Sequence, residues 1–236
     1  SYVYLGNQGD MTFNNSLDIT NNSGATNSVI SANQSGNSSN NYNGNITVSS
    51  NHVACDGVRF GQNGGNGTLA NGKSITIPGV DALNFLGGQL RFRNFTQIGN
   101  TPHSFELAST ASYIYNHNSN WGGNVSFISP RIYVRESSFA GTAYIEKTGA
   151  STDYSYGGNT FSGNTQLINN NTASNGDFYI AQDSSCSFGG DLTLKNTGAY
   201  GTLVFASEPG TYPIAGNLTL ENIPTGTGNQ YLYFGN

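Results

Sequence analysis

Apolar residues in this chain fall in alternating pairs rather than in runs. Leu17 and Ile19, Ile46 and Val48, Val125 and Phe127, Leu192 and Leu194, and Leu218 and Leu220 each skip one position. Alternation of period two predicts strands with one buried face. Four residues before each pair stands a bulky side chain, and two residues after that side chain comes Gly or Asn. Taken as anchors, the bulky residues are Phe13, Tyr42, Leu69, Phe85, Trp121, Phe139, Phe161, Phe188 and Ile214, at intervals of 29, 27, 16, 36, 18, 22, 27 and 26. The position two beyond holds Gly44, Gly87, Gly123, Gly141, Gly163, Gly190 or Gly216, with Asn15 and Asn71 in the other two cases. All of these tolerate positive φ, which predicts a left-handed bend after every anchor.

An internal period between about 20 and 50 residues marks a solenoid, propeller or array. Propeller blades need about 40 residues and four strands each, and the intervals here hold two or three short strands. The expected fold is therefore all-β: a parallel β-helix, or β-solenoid, of roughly nine coils that buries its apolar ladders between neighbouring coils. The rule for parallel crossovers favours a right-handed winding. Residues 1–236 read as one unit, with 91–121 as an irregular or loop-bearing section, because the aberrant intervals cluster around it. The chain opens on "SYVYLGN" and closes on "QYLYFGN". Terminal repeats of a complete solenoid are atypical caps, so matching ends predict a fragment of a longer array whose neighbours are further repeats.

Composition narrows the function. Only 9% of residues are charged, while aromatics reach 12% and Gly numbers 32. That is the composition of a folded chain with many turns, not of a disordered one. A net charge of −5 with eight Lys and Arg argues against a nucleic-acid partner, which needs a concentrated basic surface. No apolar run of about 20 residues is present to span a membrane. Cys55 and Cys186 are 131 residues apart. In a solenoid rising about 4.8 Å per coil they lie about 24 Å apart, beyond the roughly 7 Å reach of a disulfide. Two buried free thiols are expected, and no disulfide.

Candidate chemistry is sparse. His52, His103 and His117 do not approach metal-ligand spacing, and no nucleophile elbow, phosphate loop or zinc motif occurs. No metal, no cofactor and no catalytic residue is expected. Asp177, Asp183 and Asp191 cluster around one predicted strand, as scattered acids also do by chance. Arg91 and Arg93, and Arg131 and Arg135, form two i, i+2 pairs that each set both guanidinium groups on one strand face. With Glu136 and Glu146 near them, they make either surface ion pairs of small value or a strip for an anionic glycan. The stretch "SYIYNHNSNWGG" (Ser112 to Gly123) interleaves Tyr113, Tyr115, His117 and Trp121 with amides. Flat rings and amides suit sugars, which makes Tyr113, His117, Trp121, Arg91 and Arg93 the candidate ligand-binding residues; the anchor position of Trp121 also fits the core. Small polar residues after the aromatic strands, Asn7, Gln62, Gln182, Ser207 and Asn236, are expected to stack in register as a ladder.

The cadence of "TFSGNTQLINN", "SFGGDLTLKNTG" and "IAGNLTLEN" resembles the repeats of giant Asn- and Gly-rich surface proteins of Bacteroidetes, among them the adhesins of gliding bacteria exported by the type IX system. The resemblance implies an extracellular, cell-surface stalk or adhesin segment, secreted, serving cell adhesion or gliding motility, and contacting glycans or abiotic surfaces. It carries over no active-site residue. The alternative is a polysaccharide-acting β-helix, a lyase, a hydrolase or a tailspike-like protein.

Overall fold

The alternation becomes three columns of parallel strands, each strand hydrogen-bonded to its counterpart one coil away. A computed structural model describes residues 2–6, 8–21, 28–32, 38–50, 55–61, 64–77, 88–108, 110, 112–171 and 176–235. Column one is β1 (Tyr2–Leu5), β4 (Ser28–Ala32), β7 (Cys55–Phe60), β10 (Gln89–Arg93), β13 (Tyr113–His117) and β16 (Arg131–Arg135). A bridge from Arg135 to Gly157 leads on to β19 (Asp153–Ser155), β22 (Phe178–Ile180), β25 (Gly201–Phe205) and β27 (Gln230–Phe234). Column two is β2 (Met11–Phe13), β5 (Ser39–Tyr42), β8 (Asn66–Leu69), β11 (Phe95–Gln97), β14 (Asn120–Trp121), β17 (Ser138–Phe139), β20 (Thr160–Phe161) and β23 (Ser187–Phe188). Column three is β3 (Leu17–Asn21), β6 (Ile46–Ser50) and β9 (Ile75–Thr76), then β12 (His103–Glu106), β15 (Val125–Ser129), β18 (Ala143–Lys147), β21 (Thr165–Asn169), β24 (Leu192–Asn196) and β26 (Leu218–Asn222).

The chain visits columns one, two and three in turn and repeats the circuit. This is a parallel β-solenoid. Strands β1 to β24 make eight complete three-strand turns, slightly fewer than the anchors implied. In the next turn the second face shrinks to a bridge between Phe188 and Ile214. Among the described residues there is no helix, and none long and apolar enough to cross a membrane.

The inward row of column two is the anchor row. Phe13 pairs with Tyr42 and Tyr42 with Leu69, and further on Trp121, Phe139, Phe161 and Phe188 follow one another before Ile214. Their rings stack: Phe139 on Phe161 at 4.9 Å and Phe161 on Phe188 at 5.1 Å between centroids. Between Leu69 and Trp121 the expected anchor, Phe85, lies outside the described residues, as does Gly87. The row is filled there by Gln97, which pairs with Leu69, and the Thr96–Asn120 pair beside it sets Gln97 next to Trp121. Gln97 is buried; its Nε2 donates to the Thr101 carbonyl and its Oε1 accepts from Gly123 N. A satisfied amide thus takes an apolar slot. Within 91–121 the described residues supply β11 to β14 and most of β10 in regular register.

The glycines after the anchors also have a different cause from the one expected. Gly44, Gly123, Gly141, Gly163, Gly190 and Gly216 are absent from the left-handed residues. What they lack room for is a side chain. A Cβ on Gly123 would meet Thr101 O at 2.3 Å and one on Gly163 would meet Gly141 O at 2.5 Å. The next residue ties the coils together: Thr142 N donates to Asn124 Oδ1, Asp191 N to Asn164 Oδ1 and Asn217 N to Asp191 Oδ1, at 2.9, 3.0 and 2.7 Å. Left-handed backbone occurs at another corner, directly after column one, at Gly6, Gly61, Asn94, Asn118, Glu136, Gly157, Ala181, Ala206 and Gly235. Of the polar ladder expected just beyond that corner, only Gln182 and Ser207 fall among the described residues. Asn7, Gln62 and Asn236 lie outside the described residues, and neither Gln182 Oε1 nor Ser207 Oγ has a hydrogen-bond partner.

Cys186, next to β23, is a buried free thiol whose pKa burial pushes up. Cys55 opens β7, and its side chain lies outside the described residues.

Candidate functional site

Column one alternates apolar residues inward with long polar ones outward. In β10, Leu90 and Phe92 are buried and Arg91 and Arg93 point out; in β16, Ile132 and Val134 are buried and Arg131, Tyr133 and Arg135 point out. Register then stacks the outward residues across coils. One row runs Arg59, Arg91, Tyr115, Tyr133; a second runs Arg93, His117, Arg135; a third runs Tyr113, Arg131. All five arginines of the chain therefore share one face, within four adjacent strands. The neighbouring column shows the contrast: its outward row is Thr12, Asn41, Thr68, Thr96, Asn120, Ser138, Thr160 and Ser187, without a charge.

Tyrosine rings seat the guanidinium groups. Arg91 lies 4.6 Å from the Tyr115 centroid, Arg131 5.6 and 5.5 Å from Tyr113 and Tyr133, and Arg135 5.3 Å from Tyr156. Arg131 and Arg135 contact carboxylates. Arg131 Nε donates to Asp153 Oδ1 at 3.1 Å, and the same carboxylate accepts Ile132 N through Oδ2 at 3.1 Å. Burial pushes the Asp153 carboxyl up, against the pull of Arg131. Arg135 donates to Glu136 Oε1, and His117 Nε2 meets Glu136 Oε2 at 2.8 Å. The Arg135 hydrogen bond, with that of His117, holds Glu136 below the usual carboxylate range, while burial lowers the His117 imidazole. Glu136 has φ 50°, a left-handed conformation that Glu rarely adopts.

Arg59 and Arg91 differ. Among the described residues no carboxylate contacts either, and their Nε atoms have no hydrogen-bond partner. Burial lowers the Arg91 pKa, and the like charges of Arg93 and Arg59 lower it further. Among the described residues, the positive charge at this end of the strip meets no carboxylate.

The candidates from the sequence separate accordingly. Arg91, Arg93, Tyr113 and His117 come together on the strip. Trp121 does not belong to a ligand surface: it is 1% exposed, and its Nε1 donates to Asn116 Oδ1 inside the core at 3.0 Å. The Tyr113 and Tyr115 rings are faced by guanidinium groups, so they orient arginines instead of offering a free stacking face. Glu146 sits on column three, held by Tyr144 and Asn170, and is no partner of the arginines. Asp177 and Asp191 hold adjacent coils, accepting Thr202 N at 2.8 Å and Asn217 N at 2.7 Å. No three of His, Cys, Asp or Glu gather at one point among the described residues. His52 lies outside them. Sequence reasoning missed Arg59, Tyr133 and Tyr156. Arg59 was findable, because "VRF" at Val58 to Phe60 repeats the in-out-in order of "LRF" at Leu90 to Phe92.

A guanidinium over an aromatic ring can still offer its terminal N–H donors to a carboxylate or sulfate. The fold and this face define a parallel β-solenoid carrying one basic, aromatic-seated strip. No family model, curated protein or solved structure matches the chain.

Proposed function

We propose that the chain is an extracellular repeat segment of a large cell-surface adhesin, a stalk whose first face contacts acidic polysaccharide. The observation that carries this reading is the gathering of all five arginines on column one, with Arg59 and Arg91 in contact with no carboxylate among the described residues, in a chain whose net charge is −5. The cadence shared with Bacteroidetes surface repeats supports the extracellular setting. Repeating coils tied by the Asn124, Asn164 and Asp191 ladder support the stalk role. The role is binding, not turnover: the carboxylates around the strip are engaged by Arg131, Arg135 and His117 and serve to position them.

The experiment is incubation of the purified chain with polygalacturonate, alginate and neutral glucans, reading both retention on the polymer and release of new chain ends. Retention on the acidic polymers without release is expected. Release of chain ends would replace the adhesin reading by the polysaccharide-cleaving one, and absence of retention on any acidic polymer would remove the strip as a contact face.

A further inference from the structure

Beyond the last arginine, column one changes character. Tyr179, Val204 and Tyr233 follow one another in a single outward row on β22, β25 and β27. They enclose a notch of about 250 Å³ lined by Tyr179, Thr202, Val204, Ser207, Tyr233 and Gly235. Tyr154 stacks on Tyr179 at 4.9 Å, and Tyr231 on Tyr233 at 5.7 Å, which braces each wall from outside the notch.

We propose that this notch holds one pyranose ring of a neutral glycan. Two coils separate the tyrosines, a gap of about 9.6 Å by strand spacing. A ring in contact with both walls needs about 7 to 8 Å for the two van der Waals contacts, and the thickness of a saturated ring takes up the remainder. Val204 forms an apolar floor for the C–H face. Thr202 and Ser207 are the hydroxyl-bearing residues of the lining, and the buried Ser207 Oγ has no hydrogen-bond partner among the described residues. No lining residue is charged, which separates the notch from the arginine strip and favours an uncharged sugar over a uronate or an acidic peptide. The notch opens sideways from the solenoid, so coils stacked beyond β27 leave it open. The inference is independent of the strip and would stand if the strip bound nothing.

The test is titration of the full chain with cellohexaose, laminarihexaose and mannohexaose, followed through the Val204 and Thr202 methyl resonances. At least one neutral hexasaccharide should shift both methyls. Tyr179→Ala and Tyr233→Ala should each weaken that binding about tenfold or more, as expected for loss of one aromatic wall. Val204→Glu, at an outward position, should abolish it with the melting transition retained. Arg91→Gln, which weakens polygalacturonate retention if the strip is right, should leave the neutral sugar unaffected. Binding of none of the three sugars, or binding that survives both tyrosine substitutions, would overturn the proposal.

Discussion

Arg91 and Tyr115 are register partners in adjacent coils, and the guanidinium of one lies 4.6 Å from the ring centroid of the other. The ring therefore seats a cation that contacts no carboxylate among the described residues. Tyr115→Leu keeps an apolar side chain there and removes the quadrupole. Retention on polygalacturonate should weaken by about 2- to 30-fold, from loss of about 0.5–2 kcal/mol of cation–π interaction at a half-buried site, with the cooperative melting transition retained. Calorimetric titration of the two proteins checks this.

The corner glycines give a prediction with an internal control. Gly163→Ala would place a Cβ 2.5 Å from Gly141 O, backbone that cannot yield without separating the coils. Destabilisation of about 1–3 kcal/mol is expected from such overpacking. Gly9→Ala has nothing within 4 Å of the added Cβ and no positive φ, so it should be neutral or slightly stabilising. Denaturant melts of the two variants should differ in sign or clearly in size.

The column of anchors was legible in the sequence because bulky side chains stacked at one position leave a periodic mark. The coil containing Gln97 was not, since a buried amide satisfied by Thr101 O and Gly123 N looks like a surface residue in one dimension. Gly99, two residues beyond Gln97, was the available clue: it restores intervals of 28 and 24 in place of 16 and 36. The glycine rows were visible but misread, because close approach and positive φ select the same residue for different reasons. The strip was half legible. Alternation put Arg91 with Arg93 and Arg131 with Arg135, but only the register between β7, β10, β13 and β16 brings the pairs and Arg59 onto one surface.

His103 is expected to make the fold sensitive to mild acid. It lies buried in the inward row of column three, its Nε2 accepting Ile75 N at 3.1 Å and its Nδ1 facing Thr101 O at 3.0 Å. It thereby joins β12 to β9, where the ladder of that column is broken. Burial lowers its pKa. The unfolded chain then takes up a proton that the folded chain refuses, so stability is full above about pH 6.5 and declines as pH falls toward the lowered folded value. Stability curves for the native chain and His103→Gln should converge as the pH is lowered through that window.

Asp153 should be structurally indispensable where the two sheets of column one meet. Its carboxylate is inaccessible and serves both Arg131 Nε and Ile132 N at 3.1 Å. Asp153→Ala strands a buried N–H and frees Arg131, and should lower stability by about 3 kcal/mol. Asp153→Asn, which keeps one acceptor, should lose less. Chemical denaturation of both variants measures the ordering.

The central claim is that Arg59 and Arg91, which contact no carboxylate among the described residues, make the contact with acidic polysaccharide. The most direct test is retention on polygalacturonate of the native chain and of the double variant Arg59→Gln, Arg91→Gln, at low and at physiological salt. The native chain should be retained at low salt and released as screening shortens the Debye length from about 30 to 8 Å, while the double variant, with its fold intact, should be retained clearly less at low salt. Equal retention of the two proteins, or retention indifferent to salt, would contradict it.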